Sequence, residues 1–159
     1  MKNYLLLLAA VLSSLGISKA QHSSPTHSGN LLLSPPAIDF TAIVGKEETV
    51  TALAETETCW WAGTTNGLYR VKKKNMKVFH YTSENSSLPA NQISSICAKP
   101  DGQVYVGTCK GILRYDRFAF LVINTENSNL PSDNIRSLYY ESQKGIIVET
   151  DSNSSIILK

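Results

Sequence analysis

Beyond Ile17 the chain has no apolar run near the ~20 residues a membrane-crossing helix needs. No cysteine directly follows that first run either, which argues against a lipid-anchored form. Catalytic signatures are missing too. There is no histidine pair at metal-binding helical spacing, no Gly-x-Ser-x-Gly elbow and no glycine loop that would cradle phosphate. Paired carboxylates occur only near turns, as in Glu47 and Glu48 or Glu55 and Glu57, where water solvates them. With no catalytic group, metal or cofactor indicated, the expectation is a protein that is not an enzyme. An excess of one charge is lacking as well. Of 15 basic residues, Lys2 and Lys19 fall in the leader described next, and the remaining 13 balance 13 acids. Nucleic acid is therefore not an expected partner.

Cysteine is scarce and odd in number. With only Cys59, Cys97 and Cys109, at least one thiol is free or pairs with another molecule. They stand at three different places in the repeat described below, so they are not recurrent staples. Small buried hydrophobes are one reading. A Cys97–Cys109 or a Cys59–Cys109 bridge is the other.

Residues 1–20 carry a leader: Lys2 supplies positive charge, an apolar stretch follows to Ile17, and Ala20 ends a small-residue cleavage site. Cleavage after Ala20 makes the product periplasmic or secreted, with no membrane span in the mature chain. Residues 21–36 open on a polar segment and read as a flexible N-terminal stretch, in which His22 and His27 lack a third metal ligand. The mixed β-branched and aromatic run at 37–44 suggests the closing strand of a preceding sheet. Residues 37–159 form one repeating unit.

That unit repeats every 42 to 44 residues. Trp61, Ala62, Gly63 and Thr64 recur as Tyr105, Val106, Gly107 and Thr108, and again, altered, as Ile147, Val148, Glu149 and Thr150. Apolar pairs precede each copy: Val50 and Leu53, Ile93 and Ile96, Ile135 and Leu138. A period of this length built from β-type segments indicates propeller blades. Three copies are expected, at about 50–92, 93–134 and 135–159. In the second copy, strands are expected at Ile93–Ala98, Val104–Thr108, 112–115 and 119–123, each ended by turn chemistry. Gly67 and Gly111 follow the Gly-Thr pairs at a hairpin position that excludes Cβ. In the third copy Glu149 and Asn153 replace the two glycines. The copies are joined by similar linkers, in which Leu88 and Leu130 plug the gap between sheets and Pro89 and Pro131 stiffen the chain. Asn91 and Asn134 are expected to cap local backbone groups. The third copy reaches Lys159 on its third strand, which leaves a sheet edge uncovered. The fold class is thus all-β: a partial β-propeller of about two and a half four-stranded blades, an incomplete ring.

These residues resemble the two-component regulator propeller repeat. The resemblance rests on Leu-Pro, a following Asn, Trp61-Ala62-Gly63-Thr64 with Gly67-Leu68, and Tyr105-Val106-Gly107-Thr108 with Gly111 and the Arg114-Tyr115-Asp116 tail. It covers roughly residues 50–159. It implies the sensor region of a hybrid two-component system, a periplasmic domain often responsive to glycan fragments. It implies no binding residues, because the motif defines blades. Those blade positions are Trp61, Gly63, Thr64, Gly67, Leu88, Pro89, Asn91, Tyr105, Gly107, Thr108, Gly111, Leu130, Pro131 and Asn134.

For ligand contact, strand alternation separates the two tryptophans. Trp61 turns toward a sheet interface, and Trp60 turns the other way, the better candidate for stacking on a sugar. Lys72, Lys73, Lys74 and Lys77 form a solvated turn that protects an edge. His80 stands alone in a strand as a structural residue. The functional expectation is an exported non-enzymatic propeller fragment that resembles a ligand-sensing region, its ligand a glycan or another extracytoplasmic molecule. The alternatives are an oligomeric module that completes a propeller with other chains or with itself, the remnant of a truncated larger sensor, or a secreted propeller lyase or hydrolase.

Overall fold

The computed structural model describes residues 38–152 and 155–158. The leader, the flexible segment and Asn153 lie outside the described residues.

Each repeat folds as an antiparallel meander, because its apolar segments are separated by turns short enough to close hairpins. The first sheet runs β1 (Val50–Glu55), β2 (Cys59–Thr64), β3 (Gly67–Lys72), β4 (Val78–Tyr81), paired in that order. The second repeats it with β5 (Ile93–Ala98), β6 (Val104–Thr108), β7 (Gly111–Tyr115) and β8 (Phe120–Ile123). A third sheet has three strands: β9 (Ile135–Glu141), β10 (Gly145–Thr150) and β11 (Ser155–Leu158). Apart from one 3-10 turn the described residues are all-β, a partial propeller of two four-stranded blades and a three-stranded one. The pairing register slips at the same place in each repeat, at Val50/Ala52, Ile93/Ser95 and Glu149/Thr150. A bulge kept in register this way bends each inner strand alike. The run at 37–44 forms no strand where it is described. It holds a 3-10 turn at Phe40–Ala42 instead, where Asp39 and Thr41 are side chains that favour turns over strands.

Sheet faces alternate along each strand, so every second side chain reaches a neighbouring sheet. Trp61 and Leu68 of the first sheet meet Ile93, Val104, Val106 and Leu113 of the second, and Leu88 fills the space between them. Tyr105 and Ile112 of the second meet Ile135, Leu138, Ile146 and Val148 of the third around Leu130. Close approach depends on glycine. A Cβ on Gly63 would lie 2.4 Å from Cγ2 of Ile93, and one on Gly107 2.7 Å from Cγ2 of Ile135. At the matching place in the third sheet, Glu149 is exposed. Val50 and Leu53 are only half-buried although their counterparts Ile93 and Ile96 are buried, because no sheet precedes β1 among the described residues.

Threonine clamps the β2–β3 and β6–β7 hairpins. Thr108 Oγ1 donates to the Gly111 carbonyl at 2.8 Å and accepts from Lys110 N at 3.1 Å, as Thr64 does with Gly67 and Asn66 at 3.0 Å each. Gly111 turns at φ +106, and a Cβ there would meet the Ile123 carbonyl oxygen at 2.6 Å. The linkers are equally regular. Asn85 accepts from Thr82 N, Asn127 from Asn124 N, and Ser86 and Ser128 each bond back four residues. Asn91 caps Ser83 N at 2.7 Å, but in the next linker that role falls to Asp133, which caps Thr125 N at 2.7 Å. Asn134 therefore does not repeat the cap. It lies one residue too late and bonds the Asp151 carboxylate at 3.1 Å.

Candidate functional site: a cleft between the first two sheets

Strand alternation from Leu68 sends Arg70 to the same face, into the interface with the second sheet. There it is 8 % exposed. Its guanidinium carbon lies 4.5 Å from the ring centre of Phe79, 5.2 Å from Tyr115, 5.6 Å from Trp61 and 5.7 Å from Tyr81. Nη1 donates to the Tyr115 hydroxyl at 2.8 Å, and that hydroxyl in turn donates to the Arg117 carbonyl at 2.8 Å. Arg70 Nε and Trp61 Nε1 are both buried with no hydrogen-bond partner. None of the three ion pairs among the described residues includes Arg70. A buried cation held only by ring faces and one hydroxyl is costly unless an anion or a solvent molecule completes its shell.

The shell opens on a cleft of about 610 Å³, lined by Trp61 and Arg70 together with the β1–β2, β5–β6 and β7–β8 turns. Its mouth carries Lys72, Lys99 and Arg117 against Glu55, Glu57 and Asp101. Two of those acids are engaged, Glu55 with Lys73 and Asp101 with Lys99. Asp101 also accepts from Gln103 N, and this backbone bond chiefly holds its carboxyl below the usual range. The Asp101 hydrogen bond raises the Lys99 ammonium in turn. On the opposite lip, Asp116 accepts from Ala119 N and Phe118 N, which lower its carboxyl and fix the turn. That turn holds Arg117 at φ +81 and leaves Phe118 91 % exposed. An aromatic ring so open to water is a ready stacking surface.

Arg114 holds Arg70's place in the second sheet, opposite Tyr105 as Arg70 is opposite Trp61. Its Nε is likewise buried and unbonded. By register, however, Leu158 replaces Tyr115 in the next sheet, so an apolar group stands where Arg70 finds a hydroxyl. The cleft with its phenol belongs to the first interface.

Trp60 is half-buried and does not line this cleft; Lys73 lies over its ring at 5.2 Å. The lysine turn is exposed at Lys72, Lys74 and Lys77, and Lys72 and Lys77 also lie over Phe79 at 5.4 and 5.0 Å. Glu48 also departs from expectation. Although it lies beside a turn, it accepts from Asn66 Nδ2 and the Tyr69 hydroxyl, and its Oε2 lies 3.1 Å from Thr64 Oγ1. His80 stacks on Tyr69 at 4.1 Å, with Nε2 3.0 Å from the Asn66 carbonyl. All three cysteines are free. Cys59 and Cys97 are buried, whereas Cys109 is exposed at a hairpin tip, so neither bridge forms. Among the described residues no group of three His, Cys, Asp or Glu could hold a metal ion.

Burial raises the Cys97 thiol from 9.0 to about 11. Burial, with the Glu48 hydrogen bond second, raises the Tyr69 phenol from 10.0 to about 12. Unfolding frees both groups to ionise at their ordinary values. Their contribution to stability is therefore complete below pH 9 and is lost as pH rises through about 11 and then about 12. Urea midpoints should hold to pH 9 and fall above it, with an onset delayed in Cys97→Ala. A midpoint that rises with alkalinity would contradict the assignment.

Residues 87–110 match the model of the two component regulator propeller family. That segment carries the two-component regulator propeller repeat. In the first sheet the pairing of β2 with β3 brings Trp61 and Arg70 together. Among solved structures the chain is similar to the extracellular domain of a protein described as a one component system from B. thetaiotaomicron. Identity is 26 % and the TM-score 0.52, over 68 % of this chain and 16 % of that one. It is also similar to PorZ, a surface component of the type-IX secretion system of Porphyromonas gingivalis. That likeness is one of fold, at 17 % identity and TM-score 0.54, over 69 % of this chain and 17 % of PorZ. The chain thus spans about a sixth of the length of these relatives. No curated protein matches it. Among the described residues no helix is long and apolar enough to cross a membrane.

Sequence reasoning placed Trp61 at a sheet interface but gave Arg70 no role. The signal was available: Arg70 shares the parity of Leu68, so a charged side chain had to enter the same interface.

Proposed function

We propose that the chain is an exported, non-enzymatic propeller fragment that contributes a ligand-sensing surface of the kind found in extracellular regulator domains, its ligand class a glycan. The observation that carries this reading is the cleft between the first two sheets, where Trp61, Tyr115 and exposed Phe118 surround unbonded donors. Aromatic faces beside a few fixed polar groups suit a sugar ring. Trp60, on the other face of β2, is a second stacking candidate. Export through the leader at residues 1–20, with cleavage after Ala20, belongs to the same proposal. Thermal denaturation against a panel of oligosaccharide fragments tests it. One class should raise the midpoint by several degrees, as ligand at about 100 times its Kd contributes about 2.7 kcal/mol. No rise across the panel would remove the reading.

A second reading, a module that completes a propeller with another chain, is favoured by exposed Tyr139 and Ile157 on the third sheet. Glu149 opposes it, since that carboxylate stands where Gly63 and Gly107 admit the next sheet's isoleucine. Sedimentation of the exported chain should therefore give a monomer; a stable dimer would favour the module.

A further inference from the structure

We infer that the cleft between the first two sheets is a carboxylate site, with Arg70 and Trp61 as its internal donors; this rests on the ligand-sensing reading and specifies its ligand. Three observations converge. Arg70 is more than nine-tenths buried, lines the cleft and pairs with no carboxylate among the described residues. Its Nε and the Trp61 indole nitrogen are orphaned donors in the same cleft. At the mouth, Lys72 and Arg117 face one acid outside the ion pairs, Glu57, because Glu55 pairs with Lys73 and Asp101 with Lys99.

The chemistry selects among anions. With Nη1 committed to Tyr115, the guanidinium presents its Nε side, and a planar carboxylate matches the spacing of that donor edge. One buried positive charge is neutralised by one negative charge, whereas a doubly charged phosphate or sulfate would bury a surplus at high cost. The aromatic rings around Arg70 and the open Phe118 at the lip then accept the apolar part of the ligand. Two kinds of molecule supply this chemistry, an acidic sugar and a simple aliphatic acid. Phe118 and the cleft volume suit the ring-bearing one.

Calorimetric titration of the exported chain with D-glucuronate, D-glucose and propionate tests the inference, with Arg70→Met, Arg70→Lys and Trp60→Phe alongside. Glucuronate should bind about tenfold or more tightly than glucose, since only it engages the charged donor. Arg70→Met should abolish that preference. Arg70→Lys, which keeps charge but loses the fork, should weaken binding without removing it. Trp60→Phe separates the two candidate surfaces: unchanged binding keeps the ligand in the cleft, and lost binding moves it to the outer face of β2 and overturns the inference. Arg70→Met should also melt no lower than the parent, because the Tyr115 hydroxyl keeps its Arg117 acceptor and an unpaired buried charge is gone. Propionate binding as tightly as glucuronate still supports a carboxylate site and assigns it to simple acids. Equal binding of glucose and glucuronate, or a preference surviving in both Arg70 variants, overturns the inference while the sensing reading stands. No binding of any carboxylate overturns it as well, and silence across the oligosaccharide panel separately removes the sensing reading.

Discussion

Trp61→Ala is expected to lower stability by about 4 kcal/mol, the usual cost of deleting a fully buried large aromatic. Trp61 is 1 % exposed, packs with Leu68, Leu88, Val104 and Leu113, and tilts against Tyr115 with ring centres 5.1 Å apart. For a domain of this size that corresponds to a melting midpoint lower by roughly 15 °C. Trp61→Phe should behave differently. It keeps much of the ring and removes an indole N–H that is buried without a partner, so the expected cost is under about 1.5 kcal/mol. Equal losses in the two variants would show that the indole nitrogen is bonded in the folded protein. Thermal denaturation of both, by far-ultraviolet circular dichroism, separates the cases.

Gly63→Ala should cost about 3 kcal/mol, near the upper range for overpacking. The added Cβ would sit 2.4 Å from Cγ2 and 2.8 Å from Cβ of Ile93, close to the branch point of a side chain that is 1 % exposed. Neither atom is the end of a flexible group, so the first two sheets must move apart. The control is Glu149→Ala, at the matching place in the third sheet. Glu149 is exposed, and the change should stay within about 0.5 kcal/mol. Comparable destabilisation by both would mean that the first and third sheets present equivalent faces, against the stacking described above. The position therefore distinguishes a face that receives a sheet from one that does not.

Much of this was legible in the chain. The strands Ile93–Ala98 and Val104–Thr108 fall where alternation and turn residues put them, because both faces of a blade are constrained and a one-residue slip would reverse every side chain. Leu88 and Leu130 were readable as plugs for the same reason: each is the apolar residue of an otherwise polar linker. What escaped depended on partners distant in sequence. Arg70 meets Tyr115, and Glu48 meets Tyr69, through contacts that only the folded arrangement creates. The cap in the second linker was missed because the position two residues after proline carries Asp133, whose carboxylate does the work of the Asn91 amide. Cys109 has no signal in composition that would mark it exposed; its hairpin tip decides that. The run at 37–44 had strand-forming residues, yet where it is described it holds a turn.

The placement of function in the cleft, and not on the outer face of β2, can be read from two nuclei. A ¹H–¹⁵N correlation spectrum of the labelled chain contains one indole signal for Trp60 and one for Trp61, assigned with Trp60→Phe. On titration with D-glucuronate the Trp61 Nε1–H resonance should shift downfield and saturate as its missing acceptor arrives, while that of Trp60 stays in place. Movement of the Trp60 resonance alone would contradict the account and return the ligand to the opposite face of the strand.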